Sequence, residues 1–104
     1  MWQIFVDDVR TAPKNFNYHF KSVNETISFL REHLNDEVYI SLDHDSGEYA
    51  AEGGDYIRIL DWLEEQQYEL NEHLNFKIKI HSANPVGRMK MQDIIDRNEW
   101  KWND

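Results

Sequence analysis

Val38-Tyr39-Ile40-Ser41-Leu42 runs directly into Asp43-His44-Asp45. The first five residues form a continuous, largely apolar run, the pattern of a central strand in a parallel sheet. The next three are polar and suited to metal or proton chemistry. The same succession occurs twice more. Ile4-Phe5-Val6 leads into Asp7-Asp8, and Phe76-Lys77-Ile78-Lys79-Ile80 leads into His81-Ser82-Ala83-Asn84-Pro85. In an open parallel α/β sheet the carboxyl ends of neighbouring strands line one crevice, where ligands bind. Four carboxylates, two imidazoles, a hydroxyl and a carboxamide are therefore expected to converge.

A first strand covers about Trp2 to Val6, and Pro13 punctuates the loop Arg10–Asn15 that follows. A second short strand spans Tyr18 to Val23. The gap before it is too short for an ordinary helical crossover, so an extended loop must return the chain if the two strands are parallel. Ser22-Val23-Asn24-Glu25 fits the capping box and opens a helix with Ile27, Leu30 and Leu34 on one face and Phe29 beside them. After the Val38–Leu42 strand, the segment Ser46–Gly54 holds three of the four glycines and reads as a mobile loop. Asp55 is placed to cap a helix with Tyr56, Ile59, Leu60 and Leu63 on one face. Asn71–Asn75 is a turn, and a last helix begins near Gly87 and carries Met91, Ile94 and Ile95. Trp100 and Trp102 sit in a polar tail that can fold back. Strands alternating with helices predict a parallel sheet with right-handed crossovers, hence a small three-layer α/β domain over residues 1–104.

At 104 residues the chain has room for one core. The absence of cysteine excludes disulfides and thiolate metal sites and suits a reducing compartment. No basic segment followed by a long apolar run opens the chain, and no stretch approaches the ~20 apolar residues of a membrane span. A cytoplasmic protein without membrane contact is expected. A net charge of −9 repels phosphate backbones and argues against general nucleic-acid binding. A small phosphorylated ligand stays compatible if a cation and one or two arginines neutralise it locally.

Asp43 and Asp45 are two apart and share a side of the chain, with His44 opposite. Asp7 and Asp8 are adjacent, so one turns into the crevice while the other reaches the loop. Clustered carboxylates repel one another unless a cation intervenes, and hard oxygen donors favour Mg²⁺ or Mn²⁺ over Zn²⁺. Of the histidines, His44 and His81 lie at strand ends, and His44 is flanked by two acids able to orient it for acid–base work. Ser82 and Asn84 add a hydroxyl and an amide, or simply cap the following helix. That helix N-terminus also suits an anion. Arg88, in its first turn, opposes the helix dipole unless it reaches for a phosphate, and Arg10 is a second phosphate candidate.

The acids Asp7, Asp8 and Asp43 resemble the pocket of response-regulator receiver domains, in which an acidic pair holds Mg²⁺ and a third aspartate accepts a phosphoryl group. Ser82 falls where receivers carry a serine or threonine. A closer resemblance is to the cyclic-phosphate processing receiver domains, carried by Phe5-Val6-Asp7-Asp8-Val9-Arg10-Thr11, Ser41-Leu42-Asp43-His44-Asp45 and His81-Ser82-Ala83-Asn84-Pro85-Val86-Gly87-Arg88. The resemblance implies a truncated receiver-like, flavodoxin-like fold of about four strands in a bacterial or phage setting. It lacks both the helix between the first two strands and a fifth strand ending in lysine. The expected activity is that of a Mg²⁺- or Mn²⁺-dependent hydrolase of a small cyclic phosphate or phosphoester, derived from a nucleotide or ADP-ribose. Asp7, Asp8, Asp43 and Asp45 are the expected metal ligands, and His44, His81 and Asp43 the catalytic groups. Arg10, Ser82, Asn84 and Arg88 are the expected substrate ligands. The alternative is a non-catalytic receiver-like signalling or interaction module that binds Mg²⁺ at the same acids.

Overall fold

The computed structural model describes residues 1–82 and 85–103. Four strands, β1 (Trp2–Val6), β2 (Tyr18–Phe20), β3 (Val38–Leu42) and β4 (Phe76–Ile80), form one all-parallel sheet in the order β2-β1-β3-β4. Three α-helices accompany them among the described residues: α1 (Val23–Arg31), α2 (Ile57–Leu70) and α3 (Pro85–Arg97). The register stacks like on like. Trp2, Val38 and Phe76 are level, then Ile4, Ile40 and Ile78, then Val6, Leu42 and Ile80. Side chains alternate along a strand, so all of these face one way. All but the partly buried Trp2 join Leu30 of α1, Ile59, Leu60 and Leu63 of α2, and Met91 and Ile95 of α3 in a single buried core.

The α/β class and the truncation are as expected, but the layering differs. All three helices lie on the core face, where α1 packs on α2 and α2 on α3. The topology explains this. The steps from β2 to β3 and from β3 to β4 go the same way along the sheet, and right-handed crossovers then fall on the same side. Only the step from β1 to β2 runs the other way, and a loop makes it. Phe16 of that loop packs against Phe5 on the second face, with ring centroids 5.5 Å apart. That face carries Gln3, Phe5, Tyr39, Ser41, Lys77 and Lys79. The two lysines in β4 are thereby explained, because an uncovered face takes polar side chains.

β2 stops at Phe20 because Ser22 is already the N-cap of α1. Both arms of the capping box form: Ser22 Oγ accepts from Glu25 N at 3.1 Å, and Glu25 Oε1 accepts from Ser22 N at 3.3 Å. Asp55 does not cap α2. Its Oδ1 accepts from the Ser46 backbone and hydroxyl, both at 3.3 Å, closing the base of the glycine-rich segment. That segment is further tied to α1 by Asn24 N donating to Glu52 O at 3.1 Å. The tail folds back as expected. Trp100 is fully buried, and Lys101 makes a single parallel bridge to Ile78 at the free edge of β4. The fifth sheet position is thus marked by one bridge rather than a strand. Among the described residues no helix is long and apolar enough to cross a membrane.

Candidate active site

Asp7, Asp43 and His81 follow β1, β3 and β4 directly, at the carboxyl edge of the sheet. Each offers one ligand atom, and these atoms lie within 4.8 Å of one another. No other such group occurs among the described residues. All three numbers are odd, so the side chains continue the helix-free face.

Asp7 organises the site. It is completely buried, and both of its oxygens are engaged. Oδ1 accepts from the backbone N–H groups of Val9 and Arg10, each at 2.9 Å. Oδ2 accepts from His81 Nε2 at 2.8 Å and from the Arg10 guanidinium at 3.2 Å. Burial on its own pushes the carboxyl up. The N–H groups of Arg10 and Val9, then His81 and the guanidinium, outweigh it and hold Asp7 below its ordinary value. Asp7 is therefore ionised and only accepts, so His81 carries its proton on Nε2. When the ring is uncharged, Nδ1 accepts from the Ser41 hydroxyl at 2.8 Å. Phe5 stacks flat on the imidazole, 4.6 Å between centroids and 3° between planes. His81 is thus fixed in position, in orientation and in tautomer.

Arg10 bridges the two acids. Its guanidinium lies 3.2 Å from Asp7 Oδ2 and 3.8 Å from Asp43 Oδ1, and the side chain is half exposed. Asp43 Oδ1 also accepts from the backbone N–H of His44 at 2.8 Å. A cation thus already stands between the carboxylates, supplied by the chain itself and half exposed.

The remaining predicted residues lie around this centre. His44 is not in the cluster. Its ring lies against Gly87 of α3, where an added Cβ would overlap it, and Nδ1 is 2.9 Å from Asp45 Oδ1 but out of line for a hydrogen bond. Asp45 itself is mostly exposed. Asp8 is outside the cluster, and its carboxylate lies against Gly47, which has φ +54° and leaves no space for a Cβ. Ser82 is buried, and its carbonyl accepts from Arg88 Nη1 at 3.4 Å. Asn84 lies outside the described residues.

Three contributors went unread in the sequence. Ser41 holds His81; its signal was a hydroxyl two residues before Asp43 in an otherwise apolar run. His19 donates from Nε2 to the Asp7 carbonyl at 2.8 Å and fixes the end of β1. Tyr56, fully buried, donates to the Lys21 carbonyl at 2.7 Å. Burial, then the charges of Asp8, Asp7 and Asp43, push its phenol well above the ordinary value, so it remains a neutral donor.

The family model described as "Cyclic-phosphate processing Receiver domain" matches residues 2–97. The chain belongs to that family, and the all-parallel sheet with acids at its carboxyl edge is the receiver-like part of it. No curated protein and no solved structure matches the chain.

Proposed function

We propose that the protein is a divalent-metal-dependent phosphoesterase that opens a small cyclic phosphate derived from a nucleotide or ADP-ribose. One observation carries this reading: the ligand atoms of Asp7, Asp43 and His81 lie within 4.8 Å of each other, with a half-exposed guanidinium reaching both carboxylates. The donor set fits a hard cation. Asp7 and Asp43 would hold it, with Asp8 and Asp45 close enough in sequence to supply outer ligands. When bound, Mg²⁺ or Mn²⁺ would polarise a phosphoryl oxygen and acidify a water.

The chain's own residues do the rest. Arg10 leaves the carboxylates and turns to the phosphate, where its planar fork suits two oxygens. His81, held by Ser41 and Phe5, handles the proton of the attacking water or of the leaving hydroxyl. Its Nε2 proton is shared with Asp7, so it donates or accepts only as Asp7 is drawn to the cation. His44 serves α3 instead, wedging the first turn that carries Arg88 beside the phosphate. Positioning and charge neutralisation supply most of what phosphoryl transfer needs.

Calorimetric titration of Mn²⁺ and Mg²⁺ into wild type and Asp43→Asn, paired with turnover of 2′,3′-cyclic nucleotides and cyclic ADP-ribose phosphates, tests the reading. Binding lost in Asp43→Asn, together with hydrolysis lost in His81→Ala, is the expected result. Labelling by acetyl phosphate that depends on Asp43, without turnover, would return the chain to the signalling alternative.

A further inference from the structure

Beyond the site, the helix-free sheet face differs in composition from the rest of the chain. The chain has 20 acids and a net charge of −9. Yet the strand positions Gln3, Phe5, Tyr39, Ser41, Lys77 and Lys79 include no carboxylate, nor does the bordering loop Val9–Asn17, nor the tail Lys101–Asn103. Trp102 packs edge-on against Tyr39 at 5.1 Å, and Lys79 Nζ sits 4.1 Å from the Trp102 ring centroid. Tyr39, Lys77, Lys101, Trp102 and Asn103 line a cavity of about 300 Å³. The face begins at the site itself, since Ser41 holds His81 and Lys79 is level with Ser41. Tyr39 and Lys77 are one pleat further away. From Asp43 to Tyr39 is four residues, roughly 13 Å at ~3.3 Å per residue, which is more than a lone phosphate group requires.

We propose that this face is the track for a short single-stranded oligonucleotide whose terminal phosphate sits at Arg10. Lys77 and Lys101 meet its inner phosphates, and a base enters the cavity beside Tyr39 and Trp102. The idea rests on the phosphoesterase reading and names its substrate class. Cations interleaved with aromatic rings suit a strand that offers both phosphates and π-faces, whereas an acidic peptide gives the rings nothing to stack on. A duplex is disfavoured because the chain's overall charge repels it away from this one strip.

The test uses the full chain without divalent metal and a fluorescein-labelled hexauridylate ending in a 3′-phosphate, followed by anisotropy between 50 and 200 mM salt. Lys77→Ala/Lys101→Ala should flatten the slope of log affinity against log salt by about 1.4, or ~0.7 per lost phosphate contact on a single strand. Trp102→Ala should weaken binding roughly tenfold. Mn²⁺ affinity and turnover of a cyclic mononucleotide should not change in any of these variants. The lysine variants sit on outward-facing positions and keep the test decisive if Trp102→Ala fails to fold. Unchanged oligonucleotide affinity in the lysine variant overturns the track and leaves the phosphoesterase reading intact. Equal competition by oligoglutamate also overturns it and assigns the face to an acidic protein partner. Oligonucleotide held by the lysines in a protein that binds no metal retains the track and removes the phosphoesterase.

Discussion

Replacing Arg10 by alanine should move the affinities for cation and phosphate in opposite directions, because its guanidinium stands where the metal is proposed to sit. It lies 3.2 Å from Asp7 Oδ2 and 3.8 Å from Asp43 Oδ1. A bare Coulomb figure of ~4 kcal/mol per pair at this separation and a surface-like dielectric overstates the effect. The side chain is half exposed, and measured pairs of that kind contribute about 0.2–1 kcal/mol. Two carboxylates share the charge, so about 1 kcal/mol of competition is removed in Arg10→Ala. Mn²⁺ affinity should then rise about fivefold, taking 1.4 kcal/mol as tenfold. A charge-assisted hydrogen bond to phosphate is worth about 1.5–3 kcal/mol, so KM for a cyclic phosphate should rise at least tenfold. Folding should survive, because Asp7 keeps the Val9 and residue-10 backbone N–H groups and His81. Calorimetry gives the first number and steady-state kinetics the second. A drop in both affinities, or no change in metal binding, would refute the view that Arg10 and the cation compete for the same seat.

Three further outcomes are expected. Gly87→Ala should cost about 1–3 kcal/mol in wild type, where the new Cβ meets the His44 ring, yet add about 0.5–1 kcal/mol in His44→Ala, where only helix propensity acts; equal effects in both backgrounds, read from urea midpoints, would remove the wedge. Ser41→Ala should lower stability by about 1 kcal/mol and change the nitrogen shifts of His81, since Nδ1 loses its donor; an unchanged His81 spectrum would show that Ser41 does not set the tautomer. Acid should destabilise the fold through Asp7 and Glu64, both held below their ordinary values, Glu64 to about 2 by the Arg97 fork and Asn98. Groups with depressed values stabilise above their unfolded pKa, so the Glu64 contribution is lost as pH falls from about 4.5 toward about 2. The pair is partly exposed and worth about 1 kcal/mol after solvent screening; an Arg97→Ala variant with the same stability at pH 7 and the same acid midpoint as wild type would contradict this.

Much of the architecture could be read along the chain because the physics involved is local. Apolar runs that end in polar, metal- or proton-active residues marked β1, β3 and β4. Ser22 and Glu25 marked the start of α1, since each needs only a partner three residues away. The acids at the strand ends followed from topology alone, as parallel strands bring their carboxyl ends to one edge. Asp55 was misjudged because its competing partner, Ser46, is nine residues distant in a loop without a period.

The membership of the site was decided in three dimensions. Asp7 and His81 are 74 residues apart, and they meet only because Val6, Leu42 and Ile80 are level in the sheet. That register sends the odd-numbered side chains toward one another. His44, one residue past Asp43, is turned onto Gly87 beneath α3, although its flanking acids marked it as a candidate alongside His81. The single helical layer was likewise hidden in the sequence. The short gap after β1 shows that a helix is missing there, but only the strand order shows that its absence leaves one sheet face without helices, covered in part by Phe16 and Trp102 and running up to the site. Sequence determines what each strand end carries, because periodicity and caps act over a few residues. Register and strand order determine which ends touch, because those depend on pairings far apart in the chain.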